Sequence, residues 1–153
     1  MTTIENKTID ELEIGDSCEF HKTLTGDDIK LFAISSGDYN PVHLDETYAR
    51  TTAFGECIAH GMWSGALISA AIAMQMPGPG SIYRSQTIKF SKPVKVGDSL
   101  TVSLTITDKK QRTRLVTIDC TVKNQHGEIV ARGEAEVIAP AEKMLIKTKK
   151  PEL

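Results

Sequence analysis

A carboxylate, an amide and an imidazole fall within the short stretch Asp38-Tyr39-Asn40-Pro41-Val42-His43. Pro41 disfavours a helical Asn40, so the stretch reads as an irregular, stiffened loop. There Asp38 and His43, five positions apart, can bring their tips to one water molecule. An imidazole suits general-base work near neutrality, and a carboxyl group can relay the proton. Which of the two is base and which is acid stays open, because coupled groups titrate as a pair. Asn40 would orient either the water or the loop. Further on, His60-Gly61-Met62 opens an apolar, small-residue segment. A helix start exposes unpaired N–H groups and the positive end of a dipole, which makes the Gly61 backbone N–H the candidate donor to an oxyanion. The competing account of Gly61 is close helix–sheet packing, and His60 reads as a structural or capping residue. A gripped water beside an oxyanion donor suits addition of water to, or its removal from, an activated acyl compound.

These groups need elements to hold them. Residues 61–76 carry no charge and no solvent-facing stripe, the pattern of a helix buried nearly all round. Pro77-Gly78-Pro79-Gly80 stops it. Upstream, a strand is expected over Ser17–Leu24. Thr25 with Asp28 then forms a capping box that opens a helix through about Ile34, and Asp45 caps a short helix through Tyr48 and Ala49. Downstream the period becomes two. Leu100, Val102, Leu104 and Ile106 alternate with polar residues, as do Val116, Ile118, Cys120 and Val122, and then Ala131, Gly133, Ala135 and Val137. Such runs mark antiparallel strands with one buried face, and a further strand is expected over Ser81–Phe90. One buried helix followed by long antiparallel strands predicts an α+β domain with a sheet wrapped around a helix. That domain is assigned to residues 1–140. The tail, residues 141–153, with Lys143, Lys147, Lys149 and Lys150, is expected to fray or to lie on a neighbour.

Composition narrows the classes. The chain of 153 residues is 40% hydrophobic and 25% charged with a net charge of −2, which fits one soluble globular domain and gives no support to nucleic-acid or membrane partners. No apolar run reaches membrane-span length, and Met1-Thr2-Thr3-Ile4-Glu5-Asn6 lacks the features of a signal peptide. Cys18, Cys57 and Cys120 are odd in number and widely spaced, so they read as free, buried thiols in a reducing cytoplasm. His21, His43, His60 and His126 are scattered along the chain. No metal site is expected, and no phosphate-binding glycine loop is present.

The stretch Gly37-Asp38-Tyr39-Asn40-Pro41-Val42-His43-Leu44-Asp45, with Ala49, His60-Gly61-Met62, Gly80-Ser81-Ile82-Tyr83 and Pro93 to Asp98, resembles the MaoC-like (R)-specific enoyl-CoA hydratases. The resemblance covers roughly residues 16–140 and implies the hot-dog fold. It also implies reversible syn hydration of trans-2-enoyl-CoA to (R)-3-hydroxyacyl-CoA, as in short bacterial enzymes that supply polyester synthesis. In that picture His43 activates water, Asp38 positions it and exchanges the proton, and Gly61 stabilises the thioester oxygen. The substrate is an acyl-CoA, so CoA is part of the substrate and no separate cofactor is implied. A homodimer with the acyl channel at its interface is implied as well. Arg84, Lys89, Lys92 and Lys95 lie where the family places part of its CoA surface, although basic residues on a strand edge also guard against aggregation. Val42 replaces a leucine usual in the motif, and Trp63 with Gly65 departs from it near the acyl pocket. The alternatives are a hot-dog thioesterase, which aims its water at the carbonyl carbon, and a non-catalytic acyl-CoA-binding module.

Overall fold

The computed structural model describes residues 1–153. In chain order its elements are β1 (Thr2–Glu5), β2 (Ser17–Thr23), α1 (Gly26–Ser36), α2 (Pro41–Leu44), α3 (Glu46–Ala49) and α4 (Gly61–Met74). There follow β3 (Ile82–Phe90), β4 (Ser99–Lys110), β5 (Leu115–Lys123), β6 (Ile129–Ile138) and β7 (Leu145–Thr148). Five strands form an antiparallel sheet in the order β2-β4-β5-β6-β3. Its inner face holds α4, which is the hot-dog arrangement.

The alternating residues of β4, β5 and β6 account for this directly. Val102, Leu104, Ile106, Val116, Ile118, Cys120, Val122, Ala135 and Val137 are fully buried on one face. Against them lie Leu67, Ile68, Ala71 and Ile72 of α4. Each large aliphatic side chain removed from water contributes about 1.5–3 kcal/mol, but only one face of α4 is buried this way. Met62, Ala66, Ala73 and Met74 are exposed on the other, so the expected burial nearly all round is not met within one chain. Strand β3 can sit close to β6 because Gly133 has no side chain. A Cβ there would lie 1.7 Å from the Thr87 carbonyl oxygen.

Local signals hold except in the stretch read as irregular, where Pro41–Leu44 forms the short helix α2 with Asn40 as its N-cap. The Thr25 hydroxyl accepts from the Asp28 N–H at 3.2 Å, and the Asp28 carboxylate accepts from the Thr25 N–H at 2.9 Å, completing the box that starts α1. Gly37 ends the helix at φ 81°, its N–H donating to the Ala33 carbonyl. Asp45 caps α3 by accepting from the Tyr48 N–H.

The tail is where the expectation fails. Leu145–Thr148 form β7, which pairs antiparallel with β1, Thr2 opposite Thr148 and Glu5 opposite Leu145, and only residues 149–153 lie beyond it, exposed and outside any element. Asn6 fastens the two termini. It is 1% exposed, and its amide donates to the carbonyls of Pro79 (3.1 Å) and Glu142 (2.8 Å) while its Oδ1 accepts from the Met144 N–H (2.9 Å). Lys143 adds bonds to the Asn6 carbonyl and to the carboxylates of Glu5 and Glu11. Asn6→Ala should therefore strand buried backbone groups and lower the unfolding free energy by about 2–3 kcal/mol, measured as a fall in the urea midpoint at unchanged m-value.

Candidate active site

The loop between α1 and α2 is built from short side-chain-to-backbone bonds. Oδ1 of Asp38 accepts from the Asn40 N–H at 3.0 Å. Oδ1 of Asn40 in turn accepts from the Val42 N–H at 3.1 Å, capping α2, with Pro41 at its first position. Both are the local bonds that Asp and Asn favour at turns and helix starts. They assign Asn40 to shaping the loop, and they leave only Oδ2 of Asp38 facing the site.

One helical turn brings His43 round to that oxygen. Its Nε2 lies 3.8 Å from Asp38 Oδ2. Its Nδ1 lies 2.8 Å from the Ile58 carbonyl oxygen. A carbonyl only accepts, so Nδ1 carries the hydrogen and Nε2 of the neutral ring presents a lone pair. Ile58 is itself held by a backbone bond to Val42 and by an isolated bridge to Lys95. A separation of 3.8 Å is too long for a direct hydrogen bond, yet one water oxygen at about 2.8 Å from each atom can join them. Asp38 keeps 48% of its side chain exposed and His43 only 11%, so the carboxylate meets solvent while the imidazole is held.

The third part of the site is the start of α4. His60 occupies the N-cap but makes no side-chain cap bond. The Trp63 N–H turns back to the His60 carbonyl, whereas the Gly61 N–H belongs to the helix-start donors that lack an intrahelical acceptor. Above Gly61 lies the Phe90 ring, with Cε1 placed 3.4 Å from where a Cβ would stand. His43, His60, Gly61, Ser64, Phe90 and Lys92 are among the walls of a cavity of about 380 Å³. A second lobe of about 410 Å³ shares His43, His60, Gly61 and Phe90 and adds Phe32, Ser36, Asp38 and Met62. The two lobes place Asp38, His43 and Gly61 on one continuous cleft.

The histidines are not all scattered, as their sequence positions suggest. His43 and His60 stack with ring centroids 3.8 Å apart and planes inclined by 24°. Ligand atoms of Asp38, His43 and His60 all lie within 4.8 Å of one another. The His60 atom facing Asp38 is Nε2, which donates to the Asp38 main-chain carbonyl at 3.1 Å and so has no lone pair to offer a metal in that tautomer. His43 and Asp38 alone fall short of a usual ligand set. Sequence reasoning missed the role of His60 in this cluster. Its only signal was an imidazole at an N-cap, where a Ser, Thr, Asp or Asn is usual.

The four basic residues separate. Lys92 lines the cavity and pairs with Glu128. Lys95 stands nearby, its Nζ 3.4 Å from Glu56. Lys89 borders a shallow depression with Asp119, Arg132 and Glu134 on the outer face of the sheet. Arg84 borders another with Lys110 and Glu136. Neither of these last two lines the cleft of its own chain. No helix is long and apolar enough to cross a membrane.

Comparison with known proteins shows the family and the fold. The MaoC-like domain family matches residues 11–128. An (R)-specific enoyl-CoA hydratase of Rhodospirillum rubrum is 43% identical over 134 residues, covering 86% of this chain and 91% of that protein. A 3-hydroxybutyryl-CoA dehydratase of Methylorubrum extorquens is 38% identical, covering 86% and 83%. Among solved structures, an unliganded R-hydratase of Pseudomonas aeruginosa superposes with a TM-score of 0.95 at 47% identity, covering 99% of this chain and 97% of that one.

The cysteines stand outside this chemistry. All three are free thiols. Cys57 and Cys120 are buried as expected, whereas Cys18 is half-buried. Burial pushes the Cys120 thiol up to about 11 and raises Cys57 as well, with help from Glu46. The thiolate is the nucleophile. Iodoacetamide at pH 7.5 should therefore leave Cys57 and Cys120 unmodified in the native protein and alkylate both after unfolding in urea, as read by mass spectrometry.

Proposed function

The chain belongs to the MaoC-like domain family, and from that premise we propose that it reversibly hydrates trans-2-enoyl-CoA to (R)-3-hydroxyacyl-CoA. The observation that carries the reading is the pair formed by Asp38 Oδ2 and His43 Nε2, 3.8 Å apart, with the imidazole tautomer set by Ile58. One water held between them adds its oxygen to C3. His43 Nε2 takes a proton from that water, and the proton returns through Asp38 Oδ2 to C2 from the same side, which leaves both groups as they began and makes the addition syn. The thioester oxygen gathers negative charge as C3 is attacked. The Gly61 N–H at the start of α4 meets that charge, a kind of donor worth about 3–4 kcal/mol in the transition state.

Lys92, at the cavity wall, is the basic residue best placed for the CoA phosphates, with Lys95 beside it. A homodimer completes the channel. It would cover the edge of β3 that pairs with no strand and the exposed Ile82 and Phe90 on that strand.

The test is loss of the enoyl-thioester absorbance of crotonyl-CoA, with product configuration assigned by an (R)-specific dehydrogenase. Formation of the (R)-alcohol without free thiol is the expected result, and release of CoA would replace the reading with a thioesterase. Asp38→Asn and His43→Ala should each lower kcat by about 10²–10⁴-fold while circular dichroism stays native. Wild-type turnover in either variant would overturn the assignment. Gly61→Ala should fold normally, because the atoms nearest its methyl belong to the Phe90 ring, at 3.4–3.5 Å. It fills the space the thioester needs, so kcat/KM should fall by about tenfold or more. Lys92→Ala should raise KM by about two- to fivefold, the scale of an exposed ion contact, with kcat unchanged. Arg84→Ala and Lys89→Ala should leave both constants alone.

A further inference from the structure

His60 is a costly residue for a purely structural part. It is 4% exposed, and its Nδ1 is a buried polar atom with no hydrogen-bond partner. Buried polar atoms without partners are rare and call for an explanation. Helix capping does not supply one, since the imidazole makes no bond to the start of α4. Packing alone does not either, because an apolar ring would fill the same space between Phe32, at a centroid distance of 4.9 Å, and His43 without burying an unpaired nitrogen.

Its two contacts are specific. Nε2–H donates to the main-chain carbonyl of Asp38 at 3.1 Å, across 22 positions of sequence. The ring face lies against the His43 imidazole at 3.8 Å. The residue's own backbone leads directly into Gly61 and the first turn of α4. One side chain therefore fixes the height of the Asp38 loop over the helix start and the plane of the His43 ring, and so the distance between Oδ2 and Nε2.

We propose that His60 is a positioning residue for the Asp38–His43 pair, acting through its hydrogen bond to the Asp38 carbonyl and its stack on His43. The inference rests on the hydratase reading above. It assigns His60 no proton transfer and no contact with substrate. Without the donor, the loop that carries Asp38 is tied to the helix start by one bond fewer, and misplacement of a reacting group by about 1 Å costs on the order of a hundredfold in rate.

The test compares His60→Phe and His60→Met, which keep apolar bulk but remove the donor, with His60→Gln, whose amide nitrogen can reach the same carbonyl. The expected result is a kcat about 10–100-fold lower in the first two, with KM within about twofold and native circular dichroism. His60→Gln should recover most of the loss. Wild-type kcat in His60→Phe or His60→Met would overturn the proposal, as would a His60→Gln no better than His60→Phe. Nitrogen-15 NMR of the His43 ring gives a readout free of turnover. Wild type and His60→Gln should show the Nδ1–H tautomer, and the donorless variants should show altered His43 signals. If the wild-type protein turned over no enoyl-CoA, the hydratase reading would fail by itself. Unchanged His43 signals in a folded donorless variant would then still sink the positioning claim.

Discussion

The burial of α4 governs the position of everything at the site. From Gly61 to Met74 the helix has no charged side chain, and Trp63, Leu67, Ile68, Ala71 and Ile72 bury one face of it against the sheet while Met62, Ala66, Ala73 and Met74 stay exposed. The buried face fixes its axis, and the axis fixes where its first turn emerges. That exit point is where Gly61 presents an unpaired N–H, where Phe90 from β3 roofs it, and where the Asp38 loop crosses. Gly61 is exposed, so its N–H, without an intrahelical acceptor, opens on the cleft where a ligand oxygen can serve as the acceptor.

Around that fixed point the loop is made rigid by cheap local bonds. Asp38 divides its two oxygens, Oδ1 to the Asn40 N–H and Oδ2 to the site. Asn40 spends its amide oxygen on Val42. His43 divides its two nitrogens in the same way, Nδ1 to Ile58 and Nε2 to the site. Asp38 and His43 thus each use one polar atom to hold themselves and leave one facing the cleft. Net gains of about 1 kcal/mol per bond are enough, because the backbone these groups hold is already confined between α1 and α4. The support runs from sheet to helix to loop, and Asp38 Oδ2 and His43 Nε2 sit at its end.

Sequence reading captured what is local and periodic. The Thr25–Asp28 box, the charge-free segment from Gly61, and the two-residue period of β4 to β6 are patterns within one element, and the folded chain forms each element, although α4 buries one face and not its whole circumference. It missed what depends on distant pairing. Leu145 to Thr148 looks too short and too basic to fold alone, and it is ordered because β1 lies beside it and Asn6 fastens the corner. The stacking of His43 on His60 joins residues seventeen positions apart through the loop between α3 and α4. No period or spacing rule encodes that contact. Asp38, His43 and Gly61 were found because a motif named them, while His60 was visible only as an odd choice for a cap.

The basic residues show the limit more sharply, since there the necessary rule was at hand. On β3 the residues packed toward α4 are set by Ile88, whose side chain joins the core, and by Phe90, which reaches the Gly61 cleft. Alternation then requires Lys89 to face the other way, and it borders the outer depression with Asp119 and Glu134. A basic residue inside a strand whose neighbours on both sides are apolar cannot reach the ligand that those neighbours touch. Lys92 escapes the constraint because the strand has ended. The N–H groups of Ser91 and Lys92 both turn to the Val130 carbonyl, which breaks the alternation and returns the chain to the cavity. Position after a strand end, more than charge, is what places Lys92 at the cavity wall of its own chain.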